Sequence, residues 1–257
     1  MILNARERGD GPAVVILHGL FGSADNWNAP ANALSAHRRV VSIDLTNHGD
    51  SPHADVFTYD SIAHDVAETA SSLGIDAFDV IGHSMGGKVA MALALVQNEA
   101  VRSLVVVDIA PIEYPPSHDE IFTAYAALAH ARPESRSAAE RVLAQYVENT
   151  QLRAFLLKNF VKGPKGYTLR LNYRALADRY DTILGWPDFD GEFRGPTLFV
   201  RGGKSPYVPD DAVPAIRRTF PNATLETIES AGHWIHAEAL DAFIAVVTGF
   251  YDTVHTA

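Results

Sequence analysis

Short apolar runs recur along the chain, each bounded by Gly, Pro, Asp or Asn. Val14–Leu17, Val40–Ile43, Phe78–Ile81, Leu104–Val107, Thr197–Val200 and Leu225–Ile228 are rich in β-branched residues. They predict strands, Leu104–Val107 one buried on both faces. Between several of them the apolar spacing changes to a helical one. Ser61–Leu73 puts Ile62, Val66, Ala70 and Leu73 on one face, and Trp27–Ala36, Gly87–Val96 and Ala239–Tyr251 also read as helices. Strands alternating with helices predict right-handed crossovers and a mostly parallel central sheet flanked by helices, an α/β fold.

Residues 113–190 break that rhythm. Ile121–Ala131, Ala138–Asn149, Gln151–Asn159 and Asn172–Tyr180 read as amphipathic helices, punctuated by Pro115, Pro116, Pro133, Pro164 and Pro187. No strand-like run of comparable strength occurs there. The stretch predicts an inserted helical cap (113–190) on a core formed by residues 1–112 and 191–257.

Composition narrows the partners. The 257 residues include 47% apolar and 20% charged side chains, ordinary for a globular protein, with a formal net charge of −10. An acidic surface with no basic block disfavours nucleic acid and anionic membranes. No apolar run is long enough to span a bilayer. Cysteine is absent, which excludes disulfides, thiolate metal sites and a Cys nucleophile. The N-terminal M-I-L-N-A-R-E-R-G-D-G carries no signal-peptide core, so a cytoplasmic protein is expected.

Candidate chemistry begins at D-V-I-G-H-S-M-G-G-K-V-A-M, residues 79–91. A strand runs into Gly82-His83-Ser84-Met85-Gly86 and a helix follows at once, the setting in which G-x-S-x-G acquires meaning. Side chains at 82 and 86 would clash in so sharp a reversal. The turn pushes Ser84 out as a candidate nucleophile, and the helix N-terminus makes the Met85 N–H an oxyanion donor. V-V-I-L-H-G-L-F-G-S, residues 14–23, ends another strand and offers a second donor, the N–H of Leu20 or of Phe21. Of eleven histidines, His233 in E-S-A-G-H-W-I-H-A-E follows the last strand in a Gly-bearing loop and is the candidate general base. His236 is expected to start the next helix and point away from the site. His18, His48 and His83 are expected to be hydrogen-bond partners inside tight turns.

These residues and their order resemble the α/β-hydrolase family over nearly the whole chain. The resemblance is carried by H-G-L-F-G (18–22), D-L-T-N-H-G-D-S-P (44–52), G-H-S-M-G-G-K (82–88) and A-G-H-W (231–234). More narrowly, D-I-A-P (108–111), F-L-L-K-N-F (155–160) and G-G-K-S-P-Y-V (202–208) are similar to the small YbfF-type esterases. The resemblance implies an α/β-hydrolase fold with an eight-strand-type sheet, its first strands reduced here, a helical cap, and serine esterase or thioesterase activity.

The wider family presents its acid after the strand T-L-F-V-R-G-G-K, where this chain has Ser205; Asp210 and Asp211 beyond it read as helix caps. The narrower branch implies instead that the acid is Asp108, with Ser205 an auxiliary partner of the histidine. Ser84 and Asp108 end neighbouring strands, about 4.8 Å apart in a sheet, so one histidine loop can reach both.

The expected catalytic set is Ser84, His233, Asp108 and Ser205, with Leu20, Phe21 and Met85 around the substrate. No metal or organic cofactor is needed. The substrate class is a small acyl ester or an acyl-CoA thioester. A C–C bond hydrolase, a cofactor-free perhydrolase or a ligand-sensing protein on the same scaffold are the alternatives.

Overall fold

The computed structural model describes residues 1–164 and 166–255. The six apolar runs become strands of one seven-stranded sheet. These are β2 (Ala13–Leu17), β3 (Arg39–Ile43), β4 (Phe78–His83), β5 (Val101–Val107), β8 (Thr197–Gly202) and β9 (Ala223–Ile228). The seventh is β1 (Ala5–Arg8), and the spatial order is β1-β3-β2-β4-β5-β8-β9. Every pairing is parallel except β1 with β3. The fold is that of an α/β hydrolase, with seven strands rather than eight among the described residues.

β1 did not register in the apolar pattern because its sequence is A-R-E-R. It is an edge strand, half-exposed, and its charges sit where one face meets water.

Burial on both faces explains why β4 and β5 read as continuous apolar runs. Val80, Leu104, Val106 and Phe199 face one core cluster, beneath α2 (Tyr59–Ser72) and α3 (Met85–Val96). Ile81, Val105, Val107 and Leu198 face the other, with Trp27, Phe243 and Val247 from the α1 side (Asn28–Leu34) and the C-terminal helix α11 (Leu240–His255).

Between β5 and β8 the chain leaves the sheet and borders the cavity that Ser84 lines. It forms α4 (Asp119–Ala131), α5 (Arg136–Leu143), α6 (Thr150–Leu156), α7 (Tyr173–Asp178) and α8 (Tyr180–Leu184). Ser135, Asn149 and Asn172 cap α5, α6 and α7 through their side chains. The segment is not wholly helical. Phe160–Gly163 (β6) and Gly166–Leu169 (β7) pair as an antiparallel hairpin. Its runs are only four residues long and half-buried, too short for an alternating pattern to stand out. Phe160 stacks on Tyr167 across it at 4.9 Å.

Candidate active site

Ser84 sits between β4 and α3 with φ 52° and ψ −122°, a positive-φ backbone that a residue with a Cβ adopts only under constraint. The constraint is steric and hydrogen-bonded. A Cβ at Gly82 would lie 2.2 Å from the Gly86 carbonyl oxygen, and one at Gly86 would lie 2.4 Å from that of His18. The Ser84 N–H donates to Val107 O on β5 at 3.0 Å, and its carbonyl accepts from Gly87 N at 2.8 Å. The side chain is left to open onto the cavity above the sheet.

Asp108 is the next strand end. Its backbone has φ 53°, its N–H donates to Val200 O on β8 at 2.8 Å, and its carboxylate is fully buried. Both carboxylate oxygens have partners, as a buried charge requires. Oδ1 accepts the Gly202 N–H at 2.9 Å, while Oδ2 accepts His233 Nδ1–H at 2.7 Å and the Ser205 hydroxyl. The apolar strand therefore ends in an anion held by a histidine from the far loop. Ser205 differs from its expected place: it bonds the carboxylate, not the imidazole, because the turn after β8 lies beside Asp108. With Nδ1 as the donor, His233 carries its free lone pair on Nε2. Its ring and its backbone are each held by a neighbour. Tyr207 stacks on it at 4.0 Å and 21°, and His83 donates through Nε2 to the His233 carbonyl at 2.8 Å. Burial, with His233 and His236 nearby, lowers the His83 pKa well below the usual histidine value, so this donor stays neutral.

The loop after β2 is set by two more neutral histidines. His18 donates through Nδ1 to Gly19 O at 2.8 Å and accepts Leu45 N–H on Nε2 at 3.0 Å. His48 donates to Thr46 O at 2.9 Å and accepts the Phe21 N–H on Nε2 at 3.3 Å. Burial holds the His48 pKa down to about 3. Phe21, itself left-handed at φ 63°, has thus committed its N–H to His48. Among the described residues the Leu20 and Met85 N–H groups have no protein acceptor, and both residues line the cavity.

That cavity has a volume of about 360 Å³. Ser84 and His233 line it, with further residues from both core and inserted segment. Lys88, one turn into α3, is an unforeseen member. It is 1% exposed, and its ammonium donates to Leu184 O at 2.7 Å and Gly185 O at 2.8 Å. Burial lowers its pKa to about 7, opposed by Glu113. Its sequence signal was a lone charge in the otherwise apolar M-G-G-K-V-A-M-A-L-A-L-V. His118 of the inserted segment also lines the cavity, and nothing in P-P-S-H-D-E marked it.

Two expectations about neighbours need correction. His236 does fall in the short helix after the loop (Ile235–Glu238, α10), but it does not turn away. It stacks on Trp27 at 4.2 Å and 8°, meets the His83 ring at 4.8 Å and borders the cavity, since that helix packs inward. Asp210 and Asp211 do not cap a helix. They lie inside the turn Asp210–Ala212, with Pro209 at the cap position and no side-chain cap bond. Asp210 is 89% exposed and pairs with Arg201 at 2.6 Å.

Known proteins are similar to this chain over most of its length. The family described as alpha/beta hydrolase fold matches residues 12–240. The mouse protein named sn-1-specific diacylglycerol lipase ABHD11 is 41% identical over 93% of this chain and 80% of its own. Esterase YbfF of Escherichia coli K12 is 37% identical over 95% of this chain and 94% of its own. Among solved structures, one titled marine microorganism esterase superposes with a TM-score of 0.93 at 38% identity, covering 97% of this chain and 99% of that one. The chain belongs to the α/β-hydrolase family.

Proposed function

We propose that the protein is a serine esterase that hydrolyses carboxylic esters of small to medium acyl chains through Ser84, His233 and Asp108. The observation that carries the reading is the 2.7 Å bond from His233 Nδ1 to a fully buried Asp108, made by a histidine that lines the cavity onto which Ser84 opens. The bond leaves Nε2 as the base and supplies a counter-ion for the imidazolium that forms.

Ser84 Oγ attacks the ester carbonyl carbon as His233 Nε2 takes its proton. The carbonyl oxygen becomes an oxyanion held by the Leu20 and Met85 N–H groups. The C–O bond then breaks, His233 returns the proton to the departing alkoxide, and an acyl-serine remains. Water, deprotonated by the same nitrogen, attacks that acyl carbon; the acyl–Oγ bond breaks, His233 returns the proton to Ser84 Oγ, and the acid leaves. Ser205 keeps the carboxylate oriented. Residues 113–190 act as the cap that shapes the acyl site over a core of 1–112 and 191–257. The relatives named as esterase and lipase favour oxygen esters over thioesters.

Ser84→Ala should lower kcat by about 10⁴ or more, as triad knockouts do. A fluorophosphonate should add its mass to Ser84, read by peptide mass spectrometry. An adduct on another serine, or a normal rate in Ser84→Ala, would sink the assignment.

A further inference from the structure

The cavity has a polar corner that the reaction just described does not use. His118, immediately before α4, lines it, together with Ser117 and Tyr180. Its Nδ1 lies 2.5 Å from the Tyr180 hydroxyl. That hydroxyl oxygen accepts the Ser117 N–H at 3.1 Å. The tyrosine proton is then free to go to only one neighbour, and it satisfies the most groups by donating to His118 Nδ1. Ser117 Oγ, at 3.3 Å from the same nitrogen, is the weaker partner. A neutral imidazole that accepts on Nδ1 must carry its proton on Nε2. Burial, with His233 nearby, pulls the His118 pKa down to about 4, in keeping with a neutral ring. Among the described residues no protein group accepts from Nε2.

The placement says which part of a substrate would meet this donor. The His118 ring edges onto Phe21 at 5.7 Å, on the cavity that His233 also lines. Tyr207, flat on His233, is hydrogen-bonded to the Ser117 side chain, which ties this corner to the His233 side of the cavity. His233 is the group that hands a proton to the departing alcohol, so the alcohol portion lies on its side of the cavity. Apolar side chains of the same cavity, Ile121, Leu152 and Phe155 among them, are available to an acyl chain.

We propose that His118 Nε2–H is a hydrogen-bond donor to a second oxygen on the alcohol portion of the substrate, with Tyr180 as the positioning residue that fixes the imidazole tautomer. The substrates selected are esters of polyols, over esters of simple alkyl alcohols. The proposal rests on the esterase reading above and adds the identity of the alcohol.

The test compares glyceryl monobutyrate with n-propyl butyrate, which share the acyl chain and the three-carbon alcohol skeleton and differ in two hydroxyls. The quantity read is the ratio of kcat/KM for the two esters, measured on the full chain. His118→Phe should lower that ratio by roughly tenfold, the size of one net hydrogen bond. His118→Gln, whose amide N–H reaches about as far as Nε2, should recover most of it. Tyr180→Phe should lower the ratio by a smaller factor, mainly through KM of the glyceryl ester, and it keeps the question open to disproof if His118→Phe misfolds. An unchanged ratio in His118→Phe or Tyr180→Phe, or a lowered ratio that His118→Gln fails to raise, overturns the assignment. Ser84→Ala separates the two levels. If it cleaves both esters at the normal rate, the esterase reading falls and His118 with it. If it is inactive while the ratio stays fixed across the variants, His118 alone is wrong.

Discussion

The strand ends and the inserted segment hold the residues around the cavity in different ways. At the strand ends the backbone does it. The Ser84 N–H bonds Val107 O on β5, the Asp108 N–H bonds Val200 O on β8, and the Gly203 N–H bonds Ile228 O on β9. Each turn is fastened to the next strand, so the parallel ladder carries its own geometry into the site. In the inserted segment side chains do most of it, beside the backbone bond from the Asn172 N–H to Asn47 O at 3.0 Å. Lys88 reaches Leu184 and Gly185, Tyr59 donates to Ile183 O at 2.6 Å, and Asn159 donates to Phe21 O at 2.7 Å. A ladder cannot be altered by one side chain, whereas a side-chain tie can. The proposed reacting groups thus stand on the part of the molecule that substitution disturbs least, and the cavity walls above them stand on the part that is easily retuned.

The sharpest way to break this contrast is at Asp108. Asparagine keeps the shape and the strand-end backbone but cannot hold the same tautomer or offset an imidazolium. Asp108→Asn should lower kcat by up to about 10⁴, with thermal stability little changed. Near-normal turnover, measured on a p-nitrophenyl ester, would return the acid to another residue and cut the link between ladder and chemistry.

Lys88 sharpens the other half. Its folded pKa, pulled from 10.5 to about 7 by burial, lies below its unfolded value. Between those two values the unfolded chain binds more protons than the folded one, so this residue makes stability rise with pH. Below about pH 7 both states are protonated and the burial penalty is fully present. Replacing it by Met removes the titrating group. Urea midpoints should therefore shift in favour of the wild type, relative to Lys88→Met, as pH is raised from about 7 to about 10. A difference that is flat across that range would show that the tie is not the titrating ammonium.

Smaller effects belong to the groups beside the carboxylate. Ser205→Ala removes one of the bonds to Asp108 Oδ2 and leaves the Gly202 and His233 bonds in place. A loss of about tenfold in kcat, the worth of a hydrogen bond to a charged group, is expected, far short of Asp108→Asn. A loss as deep as that of Ser84→Ala would promote Ser205 to a principal role. Asp210→Asn should change kcat and melting temperature least of all, because its pair with Arg201 is a solvent-exposed one. Inactivity there would undo the placement of the acid.

The sequence by itself determined six of the seven strands of the sheet and the sharp turn at Ser84. Continuous β-branched runs have one good use, as strands buried on both faces, and Gly82 and Gly86 tolerate a close approach that no other residue would. Both are local constraints, written in adjacent residues. The charged edge strand Ala5–Arg8 and the hairpin at 160–169 escaped because a half-exposed strand of four residues has too few apolar positions to show a period. Asp108 was nameable as a carboxylate at a strand end, and the resemblance to the esterases gave it a role, but its bond to His233 spans 125 residues. That the Phe21 N–H is spent on His48, that Ser205 faces the carboxylate, and that Lys88 and His118 border the cavity were decided only by the tertiary structure. Each depends on which side chains the crossovers bring together, and contacts between residues so far apart in the chain leave no period or spacing in it.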